Sequence, residues 1–165
     1  AKSVRVAGDE MDQAIIDHCR DNYRILIGER TAEEIKLKIG SAAPLDGFEE
    51  ESIEIIGRDL VNGLPKNFTL TGSEIREALS ETVNAILNAI RSILEQTPPE
   101  LSSDIMEKGV TLAGGGALLR GLDKFIEREI YIKVNVAEDA LSCVAYGTGK
   151  ALEEMEILKK VLFAD

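Results

Sequence analysis

The sequence predicts an α/β fold with a mostly helical middle, carrying one β-hairpin, set into it. Three observations predict it. After Gly109, "VTLA", "GGG", a helical pattern over residues 117–129 and "YIKVNV" alternate strand, helix and strand with short connections, which argues for some parallel pairing. The middle of the chain instead shows helical stripes interrupted by a single hairpin signal. Finally, 165 residues at 44% hydrophobic content suffice to bury one sizeable core, or two small lobes sharing it.

Taken in order, "VRVAGDEMDQAIIDHCRDNY" reads as a strand end, a glycine turn and a helix. Asp9 is its expected N-cap, with Asp12 three residues on, and Met11, Ile15, Ile16 and Cys19 form its apolar stripe. A second helix is expected from Thr31, where Glu34 completes a Thr-x-x-Glu box and Gly40 marks the end. Residues 42–51, with Pro44, Gly47 and an acidic run, read as a loop. "SIEII" and "KNFTLT" flank Asn62–Gly63, a turn signal for a hairpin over residues 52–71. A long helix follows over residues 73–96, boxed by Thr71 and Glu74, with Ile75, Leu79, Val83, Ile86, Ile90 and Ile93 on its apolar face. Pro98–Pro99 ends it and opens a short helix to Met106, capped by Thr97. Residues 143–163 read as mostly helical. No internal repeat is evident.

Bulk properties exclude several classes. A net charge of -11 leaves no basic stripe to displace phosphate counterions, so nucleic acid is not an expected partner. Cys19 and Cys143 lack metal-ligand spacing, and a reduced intracellular chain is the simplest expectation. No apolar run approaches the ~18 residues of a membrane span, and no signal peptide is visible. The first residue is Ala1, not Met, which suggests a start that is trimmed or not the true one.

The candidate chemistry sits in two places. In "TLAGGGALLRG" a strand leads through glycines into a helix, so backbone N–H groups and a positive helix end converge where no Cβ intrudes. The two familiar phosphate patterns fail: Leu119 stands where the dinucleotide fingerprint needs glycine, and Leu122 and Asp123 stand where the P-loop needs Lys and Ser or Thr. A close helix–strand crossing that tolerates only glycine explains the run equally well. In "GERTAEEIK", Glu33 and Lys36 share a helix face and could grip a polar ligand, or form an ordinary surface ion pair. His18, alone among charged neighbours, reads as an exposed surface residue, and no catalytic triad can be assembled.

The segments "VRVAGDEMDQAI", "GERTAEEIKLKIGSA", "GRDLVNGLPKNFTLTGSEI", "EQTPPELSSDIMEKGVTLAGGGALLRGLDKFI" and "VAEDALSCVAYGTGKALE" together closely resemble the bacterial actin-like MreB family of rod-shape proteins. The resemblance runs unbroken over essentially the whole chain. It implies half of an actin-like (ribonuclease-H-like) ATPase fold, the second domain only. Residues 1–30 and 107–150 would form the α/β lobe beside the nucleotide, residues 31–106 an outer lobe, and residues 151–165 a helix returning toward the first domain. It also implies ATP or ADP with Mg as ligand, the Mg site lying in that first domain. Gly114, Gly115, Gly116, Ala117 and Leu118 would line the nucleoside. Glu33, Glu34, Ile35 and Lys36 would meet the ribose and base from the outer lobe, and Gly8 and Asp9 would open the first helix near the cleft.

The same resemblance places the family's phosphate loops, metal-facing Asp and water-orienting residue upstream of Ala1. Since phosphoryl transfer needs these parts together, the chain alone is expected not to hydrolyse ATP. Self-association into filaments, work with the cell-wall elongation machinery, and a location in the cytoplasm at the inner face of the membrane are implied, with membrane contact made by the first domain. Rivals are a naturally short, catalytically silent interaction module of the same fold, a chaperone relative and, weakest, a Rossmann dehydrogenase.

Overall fold

A computed structural model describes residues 2–44 and 51–155 of the chain, a mixed α/β fold. Helix α1 (Gly8–Tyr23) begins one residue before Asp9, because Glu10 reaches back to accept the Ala7 N–H at 2.9 Å and so closes the first turn around Ala7. Asp9 therefore lies within the first turn, and no strand is described over residues 2–7, where a strand end was expected. Met11, Ile15 and Cys19 are buried as the stripe predicts. His18 is half-buried rather than exposed, tilted against the Tyr23 ring, with Nδ1 3.0 Å from Asn22 Nδ2.

Strand β1 (Ile25–Leu26) follows, too short for any periodicity to announce it. Helix α2 (Glu29–Ile39) then starts ahead of Thr31, since the Gly28 carbonyl already accepts the N–H groups of Thr31 and Ala32, each at 3.0 Å. The expected Thr31 box is unused, and Glu34 turns forward to Lys38 at 2.6 Å. Strands β2 (Ser52–Asp59) and β3 (Pro65–Thr71) form the expected hairpin around Asn62–Gly63, antiparallel, with Ile55 opposite Phe68. β1 adds to the β2 edge, giving an antiparallel sheet in the order β1-β2-β3. Most of the loop expected over residues 42–51 lies outside the described residues.

Helix α3 (Gly72–Glu95) carries the predicted cap: Thr71 Oγ1 accepts the Glu74 N–H, and Glu74 Oε2 accepts the Thr71 N–H at 2.8 Å. Ile75, Leu79 and Val83 are fully buried, and the stripe grows more exposed toward Ile93. Helix α4 (Pro99–Lys108) takes Pro98 as its N-cap. Thr97 is not available for that role, because its hydroxyl donates back to Ile93 O at 2.8 Å and so serves the end of α3.

Beyond Gly109, β4 (Val110–Leu112) and β5 (Val134–Val136) pair in parallel, Val110 beside Val134. The connection departs from the expected continuous helix over residues 117–129. Gly115–Leu118 is one 3₁₀ turn, Leu119 is extended, and only then does α5 (Leu122–Ile130) begin. The cause is tertiary: Arg120 makes a parallel bridge with Ser41, and its carbonyl accepts the Ala42 N–H at 2.8 Å, a pairing a helix could not make. Helix α6 (Cys143–Glu153) closes the described chain, and the helical expectation for residues 156–163 lies outside it.

One apolar cluster joins these elements, with Ile15, Ile35, Leu70, Ile75, Leu79 and Ile126 at its centre. Burial pushes the Cys19 thiol up to about 11, so it is an inert core group. At the edge of the cluster Tyr23 donates its hydroxyl to Glu74, linking α1 to the cap of α3. That hydrogen bond, with burial and the carboxylate's charge, pushes the Tyr23 phenol up to about 12. The unfolded chain ionises this group near its ordinary 10.0, so its contribution to stability is present below pH 10 and is lost as pH rises toward about 12. Denaturant titrations across that range are expected to show the loss in the native chain and a flatter profile in Tyr23→Phe.

Among the described residues no helix is long and apolar enough to cross a membrane.

Candidate nucleotide cleft

The first turn of α1, one face of α2 and the glycine turn after β4 enclose a cavity of about 580 Å³, within the ordinary range for small-molecule sites. Its walls bring together segments far apart in the chain. Gly8, Asp9 and Asp12 come from α1, Glu33, Lys36 and Gly40 from α2 and its end, and Gly115, Gly116 and Leu118 from the 3₁₀ turn. Leu119, Arg120 and Leu141 complete the rim.

The electrostatic centre is Lys36. Its Nζ lies 2.8 Å from Asp12 Oδ1 and donates to Asp12 Oδ2 at 2.9 Å and to the Gly8 carbonyl at 3.2 Å. Both side chains are mostly buried, Lys36 15% and Asp12 14% exposed. Glu33, which the helical spacing offered as the partner of Lys36, instead stands exposed at the cavity wall. The positive end of α1 points to the same space through Ala7, Gly8 and Asp9, favouring a negatively charged ligand group there.

The space beside the glycines bears on the packing alternative left open by the sequence. A Cβ on Gly116 or Gly114 would meet no heavy atom within 4 Å, and one on Gly115 would make only ordinary contact with Leu141 Cδ2 at 3.5 Å. Close helix–strand packing is therefore not what holds this run. Only Gly114 has a conformational reason, φ 86, and its N–H donates to Ala140 O at 2.6 Å. Gly115 and Gly116 are exposed and border the open cavity, as a loop meant for flat, close approach to a ligand would.

Not every residue of the two predicted stretches faces this space. Ile35 is fully buried in the core, Ala117 is buried under the turn, and Glu34 lies on the exposed side of α2 against Lys38. Successive residues of a helix point about 100° apart, so a contiguous stretch cannot line one wall. Asp12, Gly40 and Arg120 also line the cavity, beyond the candidates the sequence offers. Asp12 stands four residues after Gly8, on the same face of α1, which is a usable signal; nothing local marks Arg120. No group of three or more His, Cys, Asp or Glu that could hold a metal ion occurs among the described residues.

Residues 1–160 match the MreB/Mbl protein family. The chain belongs to that family. Over all 165 residues it is 53% identical to the cell shape-determining protein MreB of Escherichia coli (strain K12), covering 47% of that relative. It is 48% identical to the cell shape-determining protein Mbl of Bacillus subtilis (strain 168) over 160 residues, 97% of this chain and 47% of the relative. The chain thus spans about half the length of the curated relatives it matches. Among solved structures, MreB5 of Spiroplasma citri bound to ADP superposes with a TM-score of 0.88 at 39% identity, over 99% of this chain and 48% of that one. The MamK double helical filament shares the fold, with a TM-score of 0.67 at 17% identity over 83% of this chain and 41% of that chain.

Proposed function

We propose that this MreB/Mbl-family chain is half of an actin-like cytoskeletal protein and that its cavity takes the nucleoside side of ATP or ADP. The carrying observation is the convergence of Lys36, Gly8, Gly115 and Gly116 on one space that no protein atom fills. A crystal structure of the relative MreB5 is bound to ADP, which supports the ligand class. On this reading residues 1–30 and 107–150 are the nucleotide-side lobe and residues 31–106 the outer lobe. Residues 151–165 lead back toward the family's first domain, where Mg would be held. Glu33 and Lys36 meet the ribose and base across from Gly115 and Gly116.

Filament formation, guidance of cell-wall synthesis and a position at the inner face of the membrane belong to the same proposal. The hairpin tip supports self-association, since Val61 and Leu64 are 78% and 62% exposed, an apolar end with no partner among the described residues. In the protein its gene encodes, ATP is expected to drive sedimentable polymer, and failure to sediment at any nucleotide concentration overturns the filament reading.

The cavity is tested by Gly116→Ala. Its φ is not in the positive range and a Cβ meets nothing, so the melting temperature should hold or rise slightly. Binding of ADP, followed by calorimetry, should weaken about tenfold or more, an arithmetic loss of ~1.4 kcal/mol. Unchanged affinity would remove the glycine turn from the site, and no ADP binding by the native protein would remove the site.

A further inference from the structure

Arg120 lies on the rim of the cavity, yet its guanidinium is committed elsewhere. Nη2 donates to the Lys38 carbonyl at 2.6 Å, Nε to the Gly40 carbonyl at 3.2 Å, and Nη1 pairs with Glu51 Oε2 at 2.9 Å. All three nitrogens are thereby engaged, and the guanidinium is held against the end of α2 and Glu51 rather than turned into the cavity. Two of the acceptors are carbonyls at the C-terminal end of α2, which have no partner within the helix and carry its negative end. The backbone of Arg120 fastens the same place through its bridge to Ser41 and the Ala42 N–H.

These contacts join the two walls of the cleft. α2 supplies Glu33 and Lys36; the turn immediately before Arg120 supplies Gly115, Gly116 and Leu118. At the far end of that turn the Gly114 N–H donates to Ala140 O, beyond β5, and at its near end position 120 ties it to the end of α2. Resting on the nucleotide reading of this cavity, we propose that Arg120 is a positioning residue. It pins the glycine turn to the end of α2 and so sets the gap that the nucleoside must fill. A planar fork with fixed geometry reaches three acceptors at once, whereas a lysine ammonium on a flexible stem does not hold them in one arrangement. The gap is therefore set by the shape of the side chain, not by its charge alone.

The test compares Arg120→Lys and Arg120→Ala with the native protein as its gene encodes it, reading ADP affinity, melting temperature and amide hydrogen exchange. Arg120→Ala should raise the Kd for ADP at least tenfold. Arg120→Lys, which folds if Ala does not, should raise it about threefold to tenfold. Exchange should accelerate at residues 115–121 and in the last turn of α2, while the middle of α3 keeps its protection. Unchanged Kd in both variants overturns the proposal even if the melting temperature falls, because a merely structural role would show just that. Should the native protein bind no ADP, the nucleotide reading fails, and the exchange arm still decides: acceleration confined to the two walls upholds the clamp, and uniform or absent acceleration overturns it.

Discussion

Lys36→Met is expected to lower stability by about 2–3 kcal/mol and to weaken ADP binding by more than tenfold. The stability loss comes from Asp12. Its carboxylate lies mostly buried against Lys36 Nζ, and removing the ammonium leaves a charge with little water and no counter-ion. Breaking a fully buried pair costs about 3–5 kcal/mol; the residual exposure here lets water recover part of that. Methionine fills nearly the same volume, so packing contributes little to the change. The second variant separates structure from function. Asp12→Asn with Lys36→Met removes both charges and should restore most of the stability, since a missing pair costs far less than a broken one. It should not restore binding, because the cation at the cavity wall is still gone. If the double variant regains ADP affinity along with its stability, Lys36 serves only to neutralise Asp12, and the ligand contact assigned to it fails. Urea denaturation and calorimetric titration of the three proteins give both answers.

The parts of this fold legible in the sequence were those whose cause is local. The Thr71–Glu74 box closes over three residues and is found as expected. So is the hairpin, because Asn62–Gly63 fixes its turn whatever surrounds it. The helix that was expected to run on from Ala117 breaks at Leu119 for a reason carried by Ser41 and Ala42, far away in the chain. The same distance hid the partner of Lys36. Helical spacing offered Glu33, three residues away, while the fold chose Asp12 on a different helix. For the cleft, a glycine run could signal either a ligand loop or tight packing. The emptiness beside Gly116, a three-dimensional fact, speaks against packing. Resemblance to the MreB family named two stretches, and backbone geometry decides which side chains in them reach the cavity, turning Ile35 into the core and Glu34 toward Lys38.

Gly109→Ala is expected to cost about 3 kcal/mol, much more than the same change at Gly63. Gly109 has φ 82 and ψ -170, a conformation essentially confined to glycine, and occupying it with a Cβ costs roughly 1–3 kcal/mol. Space makes the penalty larger. The new Cβ would fall 2.5 Å from the Lys133 carbonyl oxygen, and backbone on both sides leaves no flexible side chain to move aside. That carbonyl is the acceptor for the Val110 N–H at 2.8 Å, next to the first residue pair of β4 and β5. Relieving the clash therefore means opening a ladder only three residues long, whose other end leads from Leu112 into the glycine turn. Gly63 provides the control: its φ is 76, yet a Cβ there meets nothing within 4 Å, so only the conformational cost of about 1–2 kcal/mol applies. Thermal denaturation should rank the two variants in that order, and ADP affinity should fall in Gly109→Ala but not in Gly63→Ala, because only the former disturbs the wall that carries Gly115 and Gly116. Equal destabilisation by both would mean that the β4–β5 pair absorbs the clash, and that the position of the glycine turn is fixed from the Arg120 side alone.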